Sequence, residues 1–208
     1  MAETAVLQEQ VDRAIEVLRV GGVVAYPTDT VYGLGANAFD EAAVARVYEI
    51  KGRPRQQPIP ILVADMAGME MVAREVPEIA RRLAERFLPG GLTLVLLKAP
   101  RVSPLVSGGG DTVAVRIPDH PVPLALIRGL GAPITGTSAN PSSQPSPTTA
   151  EGVRRFLGDK VDLIIDGGRC PGGVASTVVD ATGTSPRLVR EGAIPRQALE
   201  EALRMKLT

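Results

Sequence analysis

The spacing of apolar positions predicts five helices along the chain. In each of these segments apolar residues recur every three or four positions, which places them on one face of a helix. Helix-ending residues support two of these boundaries, because Gly21-Gly22 follows the first segment and Pro89-Gly90-Gly91 follows the third. The predicted helices cover residues 4–20, 40–50, 77–87, 148–157 and 195–206.

Two of these helices have recognisable first residues. Asp40 precedes the second helix, and aspartate is a preferred N-cap residue because its carboxylate accepts hydrogen bonds from free backbone N–H groups. The quartet Thr148-Thr149-Ala150-Glu151 has the spacing of a capping box. Both boundaries therefore rest on polar side chains as well as on the apolar period.

Short apolar runs between the helices predict β-strands. Strands and helices do not alternate strictly, which favours a mixed sheet over a doubly wound one. We therefore predict an α/β (α+β) fold, a twisted mixed β-sheet flanked by helices with a concave ligand groove, and one domain over residues 1–208. The predicted strands cover residues 23–26, 59–63, 92–98, 112–117, 133–136, 161–165, 176–180 and 188–189.

Two long polar loops interrupt this pattern. Residues 99–111 are rich in Pro, Gly and Ser, and so long a connection inside a compact domain is typical of a functional lid. Residues 137–147 form a second polar loop directly after a predicted strand. Both loops are therefore expected near a binding site.

Composition narrows the classes of partner. Lys plus Arg and Asp plus Glu both number 23, and aromatic residues make up 3% of the chain. A balanced charge provides no global field toward nucleic acid or anionic lipid, and few aromatic side chains leave little for stacking on single-stranded bases. Any phosphate site must therefore be local.

The chain also lacks features of exported or membrane proteins. Its single cysteine, Cys170, excludes an internal disulfide and fits a reducing compartment. No apolar run approaches the ~18 residues of a membrane span, and residues 1–10 lack the basic and apolar regions of a secretory signal. We expect a cytoplasmic protein without membrane contact.

Groups for covalent or acid–base catalysis are few. The stretch 33–38 reads G-x-G-x-x-A, but six residues separate it from the preceding strand, so a dinucleotide site is not indicated. His120, between prolines, is expected at the surface, and Cys170 is expected to be an inert thiol. Ser138 lacks the G-x-S-x-G elbow, and a hydrolase would need Lys51 as its base.

Three cations follow the second predicted helix. Lys51, at the helix end, complements the negative end of the helix dipole. Gly52 precedes Arg53 and Pro54 precedes Arg55, and these two residues end the helix, so the dipole explains the two arginines poorly. Their side chains are suited to binding phosphate or carboxylate groups.

Two further segments add to this cluster. Residues 135–141 supply small hydroxyls and an amide after a strand, as anion cradles do, although a solvated turn has the same composition. Arg116 ends an apolar strand and needs a partner, for which an ion pair and a ligand are equally suitable. We expect residues 51–55 and 135–141 to face each other across a shared hollow.

Such a site is rich in fixed cations and hydroxyls and poor in proton-transfer groups. Phosphoryl or nucleotidyl transfer fits this inventory, because the protein then mainly positions substrates and stabilises negative charge. A metal ion would be held through the phosphates of the substrate rather than by protein ligands.

Seven motifs together resemble one known family. They are AYPTDTVYGLGANAF, KGRP before an apolar strand, PGGLTLVL, TVAVRIPDHP, TSANPSSQPSPTTAEGV, ASTVVDAT and LVREG. In this order they resemble the YrdC/TsaC-type threonylcarbamoyl-AMP synthases over roughly residues 15–195. The resemblance implies a YrdC-like fold whose concave face binds ATP with Mg²⁺, L-threonine and bicarbonate.

The resemblance also implies a reaction. The amine of threonine is carboxylated to a carbamate, which attacks the α-phosphate and expels pyrophosphate. The product, threonylcarbamoyl-AMP, would pass to partner enzymes that modify an adenosine beside the anticodon of tRNA.

Site residues are carried over from the family by motif position. Catalytic positions fall on Lys51, Arg53, Ser138 and Asn140. ATP contacts would come from Lys51, Arg53, Gln57, Ser138, Asn140, Ser146 and Arg190. Threonine or its carboxylate would be recognised by Thr30, Thr112, Arg116 and Ser176.

The chain departs from the family pattern in one strand. Leu62 stands where many members carry His, and if that His helps to hold threonine, this chain binds the amino acid differently. The length leaves no room for the additional C-terminal domain of the longer family form, so the short form is expected. An RNA-binding module with weak RNA contact at residues 51–55, or a nucleotide-binding paralogue without catalysis, remain the alternatives.

Overall fold

A computed structural model gives the fold of residues 2–208, with side chains from residue 5 onward. The five predicted helices are present, and two further helices and a 3₁₀ turn at Gly158–Lys160 join them. No helix within residues 2–208 has the length and apolar content needed to cross a membrane. The helices are α1 (Ala2–Arg19), α2 (Glu41–Lys51), α3 (Met66–Val72), α4 (Glu78–Phe87), α5 (Pro121–Leu130), α6 (Ala150–Leu157) and α7 (Arg196–Leu203).

The described residues form ten strands, of which seven lie within predicted segments and an eighth, β10, extends one residue beyond each end of its predicted segment. The prediction missed β2, and it treated β6 and β7 as one strand followed by a loop. The strands are β1 (Val24–Tyr26), β2 (Gly33–Gly35), β3 (Ile61–Leu62), β4 (Leu92–Leu97), β5 (Thr112–Arg116), β6 (Ile134–Thr135), β7 (Thr137–Ser138), β8 (Leu163–Ile164), β9 (Thr177–Asp180) and β10 (Arg187–Arg190).

These strands form two mixed sheets rather than the single sheet that the sequence indicates. The smaller sheet has the order β7-β2-β1-β8, and the larger has the order β10-β9-β4-β5-β3-β6. Both contain parallel and antiparallel pairs. The chain changes sheet at Gly136, because residues 134–135 pair with β3 and residues 137–138 pair with β2.

Thr135 joins the two sheets. It is fully buried, and its Oγ1 donates to the carbonyl of Leu34 (2.9 Å) and accepts from the backbone N–H of Ala36 (3.0 Å). The hydroxyl of Tyr26 in the smaller sheet donates to the carbonyl of Thr135 at 2.7 Å. These buried hydrogen bonds hold the two sheets together beside the groove.

The glycines of the G-x-G stretch accommodate the ring of Tyr26. A Cβ at Gly33 would lie 2.8 Å from Tyr26 Cε2, and one at Gly35 would lie 2.5 Å from Tyr26 Cε1. Both distances are shorter than a non-bonded carbon contact permits. The stretch is thus a strand that a tyrosine ring covers, which agrees with the absence of a dinucleotide site.

Two apolar clusters support the sheets. The larger joins both sheets to helices α2, α3, α4, α6 and α7, and includes Val47, Met69, Leu83, Leu94 and Val115. The smaller joins α1 to α5 and the floor of the groove, and its buried members include Val11, Leu18, Tyr26, Leu62 and Leu126.

The observed N-cap of α2 is the predicted residue, and that of α6 lies one residue later than predicted. The carboxylate of Asp40 accepts from the N–H groups of Ala42 and Ala43 at the start of α2, as predicted. At α6 the N-cap is Thr149, whose hydroxyl accepts from Gly152 at 3.1 Å. Thr148 is unsuited to this role because its carbonyl accepts from Cys170 N.

His120 begins a helix that the apolar period does not predict. Its Nδ1 accepts from the N–H of Val122 at 3.2 Å, so it caps α5, and Pro121 occupies the first helical position. Burial lowers the pKa of His120, which favours the neutral ring that can accept this bond. The proline-rich sequence indicates a turn, but proline is also favoured in the first turn of a helix.

The loop at residues 99–111 does not line the groove, so its predicted role as a lid is wrong. Val102 and Val106 are buried, and the carbonyl of Val106 accepts from Ile59 N at 3.0 Å. The hydroxyl of Tyr48 in α2 lies 2.9 Å from the carbonyl of Leu105 and 2.8 Å from that of Gln57. The loop therefore packs against α2 and against residue Ile59, and so supports the cationic segment 51–55 that lies between them.

Replacement of Gly35 by Ala tests the packing of Tyr26 on β2. The added methyl forces the ring to move, and overpacking of this kind costs about 1–3 kcal/mol. Gly183→Ala is the matched control, because its nearest atom beyond the chain neighbours is Ser185 O at 3.8 Å. We expect urea unfolding to show lower stability for Gly35→Ala only. Equal midpoints for the two variants would contradict this account.

Candidate active site

A cavity of about 300 Å³ lies between the two sheets. The smaller sheet contributes β1, β2 and β7 to its wall, and the larger contributes β3, β4, β5, β9 and β10. Six residues that the sequence singles out line it, namely Thr30, Arg53, Arg116, Ser138, Ser176 and Arg190. Residues far apart in the chain therefore share one space.

Lys51 joins the cationic segment to the serine-asparagine loop. Its Nζ donates to the carbonyls of Ser138 (2.5 Å) and Asn140 (2.7 Å), and its own carbonyl accepts from Ser142 N at 2.8 Å. Gly52 follows in the left-handed region, with φ of 58°, and ends α2. The two segments expected to share a hollow are thus in direct contact.

The amine of Lys51 is buried behind the cavity wall rather than exposed in it. The residue is 3% exposed. Burial, together with the nearby charge of Arg53, lowers the pKa of Lys51 to about 8. Lys51 therefore fixes the position of residues 138–140, and the structure gives it no direct contact with the cavity.

Arg53 projects from the same segment into the cavity. Its Nε donates to the carbonyl of Gln57 (3.2 Å) and its Nη2 to that of Pro58 (3.0 Å). Burial lowers the pKa of its guanidinium. Arg55, by contrast, lies outside the cavity, 61% exposed and 3.8 Å from a carboxylate oxygen of Glu49.

Arg190 reaches the cavity from the edge strand β10. Its Nη2 and Nε donate to the carbonyl of Ser176 at 2.7 and 3.2 Å. The hydroxyl of Ser176 pairs with that of Thr93 at 2.8 Å, which keeps it against the sheet. Burial, and then the charges of Arg116 and Arg53, lower the pKa of Arg190.

Arg116 has both an ion-pair partner and a place in the cavity wall. Its Nη2 donates to Asp29 Oδ1 at 2.6 Å, its Nη1 to Thr30 Oγ1 at 2.9 Å and its Nε to Gly90 O at 2.8 Å. The side chains of Arg116 and Asp29 are 8% and 16% exposed. The sequence left open whether Arg116 forms an ion pair or binds a ligand. These alternatives are compatible, because Arg116 forms the ion pair and also lines the cavity.

The cavity is electropositive. Three guanidinium groups line it, and no Asp or Glu is among its lining residues. Carbonyl oxygens hold Arg53 and Arg190, and a carbonyl dipole leaves the net charge of its partner in place. The site is therefore suited to an anion with several negative charges.

Two polar atoms in the adjoining loop lack partners. Among the residues described, Asn140 Oδ1 and Ser142 Oγ are the buried side-chain oxygens without a hydrogen bond. The amide nitrogen of Asn140 is engaged with the carbonyls of Gln144 (2.5 Å) and Pro141 (3.1 Å), which fixes the direction of Oδ1. Buried polar atoms of this kind require a partner such as water or a ligand.

Residues 16–192 match the family model Sua5_yciO_yrdC, whose description is "Telomere recombination". The chain belongs to the Sua5/YciO/YrdC family. This confirms the resemblance that the seven motifs indicate.

Two curated members of the family are named threonylcarbamoyl-AMP synthase. The protein from Pyrococcus abyssi is 49% identical over 186 residues, which cover 89% of this chain and 55% of the relative. The protein from Bacillus subtilis is 46% identical over 195 residues, covering 93% of this chain and 56% of the relative. The chain thus spans little more than half the length of these relatives.

A solved member of the family has the same fold. The crystal structure of P. abyssi Sua5 complexed with L-threonine superposes with a TM-score of 0.92 at 46% identity, covering 95% of this chain and 58% of that one. The predicted mixed α/β fold of YrdC-like type is therefore confirmed, with two sheets in place of one.

Several positions carried over from the family motifs lie outside the cavity wall. Lys51 and Asn140 are buried behind it, and Gln57 is exposed, with its carbonyl bound by Arg53 and Tyr48. Ser146 is half-buried in the loop before α6. Thr112 begins β5 opposite Leu97, two residues before the lining residue Ala114. The assignments of these five positions, like those of the residues that line the cavity, stay predictions.

Two residues of the PTDT motif, Thr28 and Asp29, contribute to the site although the sequence does not indicate a role for them. Thr28 is 4% exposed, lines the cavity and accepts from the N–H of Thr30 at 3.0 Å. Asp29 holds Arg116, as described above. Their position beside Thr30 in one motif is the signal that could have identified them.

Leu62 stands beside Arg116 on the cavity floor. The two residues are cross-strand partners in β3 and β5, and both line the cavity. Gly136 accommodates Leu62, since a Cβ there would lie 2.7 Å from Leu62 Cδ2. The position where many family members carry His is thus an apolar wall next to a cation.

Replacement of Lys51 by Met tests the burial of its amine. The folded-state pKa of about 8 lies below the ordinary value of 10.5, so between these values the unfolded chain binds more protons than the folded one. The stability of the wild type should therefore rise with pH in this window, by up to about 3 kcal/mol relative to Lys51→Met. Urea unfolding of both proteins at several pH values measures this difference. A difference that does not change with pH would show that the amine titrates normally.

Proposed function

We propose that this protein catalyses the formation of threonylcarbamoyl-AMP and pyrophosphate from L-threonine, bicarbonate and ATP. The observation that carries the proposal is the cavity with three guanidinium groups and no lining carboxylate. The names of the two relatives and the threonine complex of P. abyssi Sua5 support it.

The cavity offers groups suited to two substrates. Arg116, Thr30 and Ser176 supply N–H and hydroxyl groups to which the carboxylate and hydroxyl of threonine would bind. Arg53, Arg190 and Ser138 also line the cavity, and the phosphates of ATP would bind to them. The orphaned Asn140 Oδ1 lies in the loop that would face the second substrate.

The chemistry requires positioning and charge stabilisation. The free amine of threonine forms a C–N bond with bicarbonate, and water leaves, which gives the carbamate. A carbamate oxygen then forms a bond to the α-phosphorus, and the bond from that phosphorus to the bridging oxygen of the β-phosphate breaks. Pyrophosphate departs with the electron pair. Arg53 and Arg190 stabilise the charge that develops on the phosphates.

No side chain of the cavity acts as a covalent nucleophile in this scheme. The lining residues include no Cys, His, Asp, Glu or Lys, so no lining base is present to activate the hydroxyls of Thr137 and Ser138. The lining hydroxyls of Thr28, Thr30 and Ser176 are engaged in hydrogen bonds. Rate acceleration therefore comes from holding the carbamate in line with the leaving pyrophosphate.

Magnesium would enter with ATP. The described residues contain no group of three or more His, Cys, Asp or Glu side chains that could hold a metal ion. Mg²⁺ retains waters and binds phosphate oxygens readily, so the nucleotide itself supplies its ligands. When bound, it reduces the negative charge of the phosphates, while the arginines orient them.

The product is a mixed anhydride that hydrolyses if it is not consumed. We expect tRNA-modification partner enzymes to receive the threonylcarbamoyl group, as the family resemblance implies. The position of the cavity between two sheet faces leaves one side open to solvent for exchange of substrates and product.

An RNA-binding module receives less support from the structure. The three tyrosines are buried, and the three phenylalanines are partly buried against the apolar core, so exposed aromatic platforms for stacking on bases are lacking in residues 5–208. Arg55, the exposed cation of the cluster, pairs with Glu49. Measurement of turnover distinguishes the proposed enzyme from a nucleotide-binding paralogue without catalysis, because the paralogue would release no pyrophosphate.

Substitution of the two phosphate-facing arginines tests the proposal. The wild type should release pyrophosphate only when ATP, Mg²⁺, bicarbonate and L-threonine are all present. Arg53→Gln and Arg190→Gln should each reduce this rate by about a hundredfold or more, because each removes a preorganised charge from the transition state.

Arg55→Gln is the matched control, since Arg55 is in the same segment but outside the cavity. Its rate should equal that of the wild type. Absence of pyrophosphate from the wild type in the complete mixture would overturn the proposed function. Near-normal rates in both cavity variants would instead overturn the placement of the phosphates. Binding of RNA that weakens steeply with salt, without turnover, would favour the RNA-binding alternative.

A further inference from the structure

One cation of the site is held differently from the others. Lys51, Arg53 and Arg190 donate to backbone carbonyl oxygens. Arg116 donates to a carboxylate, that of Asp29, at 2.6 Å. The structure therefore neutralises one cation and leaves the charge of the others in place.

Asp29 is itself held firmly. Its Oδ1 accepts from Arg116 Nη2 and also from the backbone N–H of Asp119 at 3.2 Å. Its carbonyl accepts from Gly172 N at 3.1 Å, and a Cβ at Gly172 would lie 2.6 Å from that carbonyl oxygen. Two segments of the chain thus hold the carboxylate, and a third holds the backbone of the same residue.

The pairing also determines which donors of Arg116 remain free. A guanidinium has five N–H groups. Three of them are engaged with Gly90 O, Thr30 Oγ1 and Asp29 Oδ1. The other two, one on each terminal nitrogen, are available to the two oxygens of a ligand carboxylate.

The charge balance differs among the three cavity arginines as a result. The guanidinium of Arg116 and the Asp29 carboxylate sum to zero, whereas Arg53 and Arg190 keep their positive charges. An α-amino acid is a zwitterion without net charge, and a polyphosphate carries several negative charges. The first fits the neutral pair, and the second fits the two charged arginines.

We propose that Asp29 is a positioning residue that orients Arg116 and neutralises its charge, so that Arg116 accepts the carboxylate of an α-amino acid and disfavours polyphosphate. The proposal rests on the proposed function for the identity of the amino acid, L-threonine. Asp29 acts through Arg116 and is absent from the cavity wall.

If the ion pair between Asp29 and Arg116 only supported the fold, a different result would be expected. Loss of one partner of a buried pair lowers stability because the other charge is left uncompensated. Such a loss would affect the binding of both substrates alike. A selective effect on the amino acid therefore distinguishes positioning from general support of the fold.

Asp29→Asn and a matched control, Asp162→Asn, provide the test. Asp162 likewise accepts from one arginine, Arg46 at 2.9 Å, and from one backbone N–H, that of Val23 at 2.7 Å, but it lies away from the cavity. Calorimetry measures the affinity of each folded protein for L-threonine and, separately, for pyrophosphate, and the pyrophosphate assay gives KM for both substrates and kcat.

Asp29→Asn should weaken the binding of L-threonine by about ten- to a hundredfold, by analogy with the loss when the residue that orients a metal ligand is removed. Its affinity for pyrophosphate should be unchanged or higher, and Asp162→Asn should alter neither. Asp29→Glu, which keeps the charge, should restore most of the threonine affinity. If Asp29→Asn does not fold, Asp29→Ser provides a smaller neutral variant for the same measurements.

A double-mutant cycle with Arg116→Gln completes the experiment. If Asp29 acts through Arg116, the loss from Asp29→Asn should disappear in the Arg116→Gln background. Additive losses, equal losses for both ligands, or normal threonine affinity in Asp29→Asn would each overturn the positioning role while leaving the proposed function intact. A wild type that binds no L-threonine and releases no pyrophosphate would overturn both.

Discussion

Backbone carbonyl oxygens hold Lys51, Arg53 and Arg190 in place, and the whole site depends on this arrangement. Like charges gathered in one cavity repel each other, and carboxylates would remove the repulsion only by cancelling the field that attracts an anion. Carbonyl dipoles fix the positions of the cationic side chains and leave their positive charges in place. The cost is partial desolvation, which is visible in the lowered pKa values of all three groups.

The position of the cavity follows from the way in which two sheets meet. The chain passes from one sheet to the other at Gly136, and Thr135 and Tyr26 form buried hydrogen bonds across the junction. Tyr26 lies flat only because Gly33 and Gly35 lack side chains. The wall of the cavity therefore combines strands from both sheets, and the same backbone that joins the sheets presents Ser138 to the cavity.

The sequence predicted the parts of the site that lie within short motifs. Lys51 and Arg53 were identifiable because Gly52 ends the helix between them, so that the helix dipole explains only the first. The motifs did not show that Lys51 faces away from the cavity, because its two acceptors lie more than eighty residues further along the chain. For the same reason the 99–111 loop was mistaken for a lid, since only its contacts with α2 reveal its supporting role.

The sequence by itself determined the family, the mixed α/β class and most helix and strand positions, because apolar periodicity, capping residues and motif order are local properties of the chain. Only the tertiary structure decided that there are two sheets, which cations line the cavity and which carboxylate accompanies Arg116. These features depend on hydrogen bonds between segments distant in sequence, and residue spacing carries no information about which distant donor meets which acceptor.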